Sequence, residues 1–251
     1  MTAPAFSLAF SLQGKRALVA GSPHPWGRVV ALALAEAGAD LALAAEDGEA
    51  AAEEVRRMGR RCLLLPMPVT SGGVGSTIRR ALKELGGLDV LANCFDLALS
   101  KPATETSLRE WNRVLATNLT AQFLWCREAG RYMMGQGRGR IVNLASGLGM
   151  RGMANASCYC ASMGGVIQLT RALALEWAPR GVAVNAIAPC WFEGSPFLEG
   201  AARERIVRFI PLRRLGEPAE IGPLAAFLAS DAASYITGQT YFLSGGVMAH
   251  G

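Results

Sequence analysis

Short apolar runs and amphipathic stretches alternate from one end of the chain to the other. Residues 16–20 (Arg-Ala-Leu-Val-Ala) make an apolar run of strand length, and 27–37 repeat apolar positions at helical spacing before a stop at Gly38. A second run at 41–45 completes a predicted βαβ unit. The pattern then predicts helices over 49–58 and 76–85, strands over 62–65 and 88–92, and a long helical pair over 108–136. Strand 140–144, a helix from Ser157 to Trp177 and strand 182–188 follow. After Pro189 comes an irregular stretch, 191–215, holding a small helix near 201–209; a helix opened by Glu217-Pro218 runs to 229, and 239–243 is the last strand. Such alternation predicts an α/β fold of Rossmann type, a doubly wound parallel sheet of seven strands whose ligands sit at the strands' carboxyl ends.

At 251 residues the chain can bury a large core, and one domain spanning 1–251 is expected. Hydrophobic residues make up 51% and charged residues 18%, an apolar excess that a buried parallel sheet or a subunit interface would absorb. The net charge of +5 comes from arginines spread along helices. Nucleic-acid binding needs a clustered basic face, so none is expected; a preference for an acidic or coenzyme A-linked small molecule fits the charge better. The six cysteines lack metal-ligand spacing and read as reduced core residues of a cytoplasmic protein, and no metal site is expected. No stretch has the form of a signal peptide or membrane span. The two histidines, His24 and His250, fit no base or metal pattern.

Candidate chemistry centres on Ser157-Cys158-Tyr159-Cys160-Ala161-Ser162-Met163. Tyr159 and Met163, four apart, share one helix face. Ser146 follows the strand 140–144, so a hydroxyl and a phenol can meet over one pocket, as handling a carbonyl or an alcohol requires.

Here the chain resembles the short-chain dehydrogenases/reductases, and the likeness runs through almost all of it, including Ile236-Thr237-Gly238 and Ser244-Gly245-Gly246 near the end. The resemblance implies that Ser146 orients a substrate oxygen, that Tyr159 is the acid/base, and that a lysine four residues on lowers its pKa. Met163 stands at the lysine's place. A free phenol titrates near ~10, so without a cation it is ionised about once in a thousand at neutral pH, a deficit of about 4 kcal/mol. Arg151 is the one charged side chain between Ser146 and Tyr159 that could compensate. Asn118 matches an asparagine that supports a relay water in this family; a plain helix hydrogen bond is its other reading.

The resemblance also implies an NAD-type coenzyme, for which Gly21, Gly27, Glu46 and Asn93 are the candidate contacts. The turn after the first strand reads Gly21-Ser22-Pro23-His24-Pro25-Trp26-Gly27, with proline where the family has its middle glycine. Proline removes an N–H that could meet the pyrophosphate. Glu46 could bind ribose hydroxyls and would favour NAD over NADP, or it could simply complement a helix N-terminus. Pro68 replaces an aspartate, Asn93-Cys94-Phe95-Asp96 replaces Asn-Asn-Ala-Gly, Pro189-Cys190 replaces Pro-Gly, and Gly194 replaces a threonine. Small residues have become larger at several contact points, which, with the lost lysine, implies a groove no longer built for a dinucleotide; the alternative is a groove that has adapted and still binds NAD.

Two functions follow. In one, the chain is a degenerate, non-catalytic subunit assembled through its long helices with a homologous active subunit, in a hetero- or homotetramer. An example of that setting is a hydroxyacyl-CoA-type dehydrogenase such as heteromeric 2-(hydroxybenzyl)succinyl-CoA dehydrogenase. In the other, it is an active NAD-dependent oxidoreductase interconverting a secondary alcohol and a ketone. Residues 191–215, with Arg203, Arg205, Arg208, Arg213 and Arg214, form the expected substrate lid.

Overall fold

The computed structural model describes residues 9–21, 23–195, 197–198 and 201–249. Seven parallel strands form one sheet in the order β3-β2-β1-β4-β5-β6-β7. They are β1 (Arg16–Gly21), β2 (Asp40–Ala44), β3 (Cys62–Leu65), β4 (Val90–Cys94), β5 (Gly139–Leu144), β6 (Val182–Pro189) and β7 (Thr240–Leu243). The order reverses between β1 and β4, so the crevice for ligands opens above those two carboxyl ends. The α/β reading, the doubly wound topology and the strand count are all as the pattern predicted.

Two layers cover the sheet. One face carries α1 (Arg28–Glu36), α2 (Glu49–Arg57) and α8 (Ile221–Ala229) over Val19, Leu41 and Val142. The other carries α3 (Ser71–Leu85), α5 (Ala121–Gln136) and α6 (Ser157–Trp177) over Leu18, Leu91 and Val184. Alternate residues of each strand serve opposite layers, so both faces of the strands are apolar. The short α4 (Leu108–Leu115) precedes α5, and α7 (Ala201–Phe209) stands outside the sandwich.

Several boundaries differ from the pattern, three of them near the site. Helix α3 begins at Ser71 because Thr70 caps the Gly73 amide, an oxygen that outweighs the glycines at 72, 73 and 75. Strand β4 lies two residues further on, set by its pairing with β1 from Ala17↔Val90 to Gly21↔Cys94. The 108–136 helix is interrupted by a π-turn at Ala116–Thr120, which turns Asn118 inward.

Where β1 ends, Gly21 has φ 123°, and a Cβ there would lie 2.5 Å from the Cys94 carbonyl carbon. Gly21→Ala should therefore cost at least about 2 kcal/mol in urea unfolding, from backbone strain and overlap together; an unchanged midpoint would contradict this packing.

Candidate functional site

Ser146 and Tyr159 do share one cavity, of about 260 Å³, above the ends of β4, β5 and β6. Ser146 is fixed by its own backbone: Oγ donates to the Pro189 carbonyl at 3.4 Å and accepts the Leu148 amide at 3.2 Å. Tyr159 projects from the first turns of α6 against Phe197, ring centroids 5.2 Å apart. The loop after Ser146 is pressed onto α6: a Cβ on Gly149 would stand 2.7 Å from the Met163 carbonyl carbon, and one on Gly164 would stand 3.1 Å from the Gly149 oxygen. Two glycines thus set how far the hydroxyl stands from the phenol.

Met163 is wholly buried in a small cluster with Leu148, Ala156 and Tyr159. Its surroundings are apolar, and the thioether packs as a core side chain. Arg151 does not supply the missing cation. Its Nη1 donates to the Val247 carbonyl at 2.8 Å and its guanidinium lies over Phe209, so it lines a neighbouring cavity of about 300 Å³. Burial, and after it the charge of Asp96, hold the Tyr159 pKa well above the usual phenol value, with Ser146 offsetting only part.

Of the two bulky residues that the sequence places in the coenzyme path, the structure puts Asp96 there and not Phe95. Phe95, expected to project a ring into the coenzyme path, instead packs against Trp125 in the core, centroids 6.4 Å apart. Asp96 alone enters the crevice, where its Oδ2 accepts Trp26 Nε1 at 2.7 Å. Trp26 belongs to a π-turn, Pro23–Gly27, and packs edge-on against Phe192 at 5.7 Å. The second carboxylate oxygen, Oδ1, is buried without a hydrogen-bond partner. Burial raises the Asp96 pKa, and hydrogen bonds from Trp26 and from Tyr159 oppose it. The signal was present in the sequence, a carboxylate at a small-residue position, but its partner lay 70 residues away.

Asn118 is a brace. Its Oδ1 accepts the Leu97 amide at 2.7 Å, and its Nδ2 donates to the Leu97 carbonyl and to Ser162 Oγ, each at 3.0 Å. Asn93 turns beneath the sheet to Asn143 Oδ1 at 2.9 Å and Cys126 Sγ at 3.2 Å. Gly21 and Gly27 flank the expected pyrophosphate turn, and Glu46 is exposed at the bend after β2. The side chain of His24, and all of His250, lie outside the described residues. Of the lid arginines, Arg203 pairs with Glu193, Arg208 with Glu204 and Arg214 with Glu220. That pairing, with a carboxylate inside the pocket, weakens the electrostatic motive for an acidic or acyl-CoA ligand and leaves it to Arg205 and Arg213.

A reversing parallel sheet with a serine and a tyrosine over its carboxyl edge defines a dehydrogenase-type Rossmann protein. The family of enoyl-(acyl carrier protein) reductases matches residues 23–248. A 3-oxoacyl-(acyl-carrier-protein) reductase, FabG, from Staphylococcus aureus is 36% identical over 240 residues, 93% of this chain and 98% of its own. A short-chain type dehydrogenase/reductase from Mycobacterium marinum superposes with a TM-score of 0.88 at 34% identity, covering 95% and 97% of the two chains. A gluconate 5-dehydrogenase from Burkholderia cenocepacia, in complex with NADP and tartrate, gives 0.93 at 28% identity, covering 98% and 100%. The chain belongs to the short-chain dehydrogenase/reductase family, and its fold is that of an oxidoreductase.

Three features of the described residues bear on the nicotinamide dinucleotide that this fold implies. On the adenosine side, the enclosed hollow between Gly21, Gly27, Leu43 and Ala45 is about 10 Å³, room for one water, with Ser22 and the side chains of Pro23 and His24 outside the described residues. Towards the nicotinamide, the Trp26–Asp96 hydrogen bond spans the crevice. No amine is present at Met163 to hold a ribose.

Asp96 gives a pH test. With its pKa raised on folding, the folded chain keeps a proton that the unfolded chain has lost, so stability falls as pH rises from about 4 through the folded-state value. Asp96→Asn should match the parent in acid and exceed it above that window in urea midpoints measured against pH. Parallel curves would refute the raised pKa.

Proposed function

We propose that this chain is a coenzyme-independent member of the family, a subunit that keeps the oxidoreductase scaffold and its small-molecule pocket while a homologous subunit carries the hydride chemistry. The observation that carries this reading is Met163, fully buried at the lysine's place beside a phenol whose pKa is raised. The bridged crevice supports it independently.

Assembly is favoured by what the sandwich leaves uncovered. Leu108, Phe123 and Leu175 are exposed on α4, α5 and α6, and β7 is a half-buried edge strand. An open edge and apolar helix faces are what a neighbouring subunit covers. The relatives favour a second reading: reductases and dehydrogenases align over nearly their whole length, and an active NAD-dependent oxidoreductase interconverting a secondary alcohol and a ketone would use Tyr159, Ser146 and Asn118.

Titration of the purified chain with NADH, followed by fluorescence, separates the two. No saturable binding is expected from the chain alone, and binding is expected only after mixing with an active homologue. Saturable micromolar binding by the isolated chain would overturn the subunit reading. Met163→Lys alone should leave NADH unbound and lower stability by about 2 kcal/mol or more, since it places an amine in an apolar cluster. Recovered NADH binding in that single variant would show that only one residue had failed.

A further inference from the structure

Among the described residues, the 260 Å³ cavity is walled by four aromatic rings, Trp26, Phe192, Tyr159 and Phe197, with Asp96 as the one carboxylate and no lysine or arginine in the lining. The rings come in two braced pairs, Trp26 edge-on to Phe192 at 5.7 Å and Tyr159 tilted on Phe197 at 5.2 Å. Ring faces attract cations, and more strongly where water is excluded. Asp96 is anchored through Oδ2 by the indole and has the Tyr159 hydroxyl beside it, while Oδ1 has no donor within hydrogen-bond geometry. A buried carboxylate oxygen without a partner is costly, and a ligand N–H would remove that cost. Neutral and anionic ligands satisfy one of these features or neither; an ammonium group satisfies both.

We infer that this pocket binds a small organic ammonium, whose N–H groups meet the Asp96 carboxylate while its carbon skeleton lies among Trp26, Phe192, Tyr159 and Phe197. The volume matches roughly eight or nine waters, which limits the skeleton to about the size of a benzyl group. Ser146, whose hydroxyl oxygen already accepts the Leu148 amide, marks the polar side of the same cavity. The inference rests on the closed-crevice reading, because that reading leaves the cavity to a ligand other than nicotinamide.

The test is calorimetric titration of the full chain at neutral pH with benzylamine, benzyl alcohol and benzoate, which share a shape and differ in charge, and with the slimmer propylamine. Benzylamine should bind about tenfold or more tightly than benzyl alcohol, the difference between a charge-assisted and a neutral hydrogen bond, and benzoate should not bind. In Asp96→Asn, an isosteric change that keeps an acceptor for Trp26, benzylamine should fall to the level of benzyl alcohol while benzyl alcohol is unmoved. The inference is overturned if benzyl alcohol or benzoate binds as well as benzylamine, if the variant binds benzylamine as tightly as the parent, or if neither amine binds. NADH titration of the same samples is scored separately: saturable NADH binding would defeat the closed-crevice reading, whereas a flat amine titration with no NADH binding would defeat only the ligand class.

Discussion

The indole of Trp26 and the carboxylate of Asp96 meet above the gap between β1 and β4, where the order of the strands reverses. That gap is where a parallel sheet receives its ligand, since the loops on either side diverge to opposite faces. A hydrogen bond to a charged acceptor contributes about 1.5–3 kcal/mol net, so displacing it would weaken a dinucleotide by roughly 10- to 150-fold. Taken singly, that is a moderate penalty. It would compound with the amide that Pro25 lacks in the turn after β1. The contact places a carboxylate inside the pocket beside Tyr159.

The consequence reaches Tyr159. A cation beside a phenol would favour the phenolate; a carboxylate and burial favour the neutral hydroxyl. The pocket is therefore well suited to donating a hydrogen bond and poorly suited to removing a proton. Ser146 has the same character, committed to Pro189 and Leu148 by the turn in which it sits. On the proposed reading, what persists is recognition geometry.

Most of the fold was legible because strand and helix periods differ, and the apolar runs are long enough to separate them. Ser146, Tyr159 and Met163 were legible because they are local to one strand end and one helix. The bond between residues 26 and 96 was not, since it depends on β1 and β4 being neighbours, a fact of topology that spacing along the chain does not carry. Phe95 shows the same limit in reverse: the side chains at 95 and 96 go to opposite sides of the backbone, and only the end of β4 decides which one faces the crevice. The brace made by Asn118 required the π-turn, and no residue in Ala116–Thr120 announces one.

The seam between Gly149 and Gly164 is main chain against main chain. Side-chain drift on the pocket walls cannot widen it, so the chassis holding the hydroxyl and the phenol can outlast any particular chemistry performed there. A lineage could exchange lysine for methionine and glycine for aspartate, one after the other, without losing the shape of the cup, and the cup would then be free to acquire a different guest.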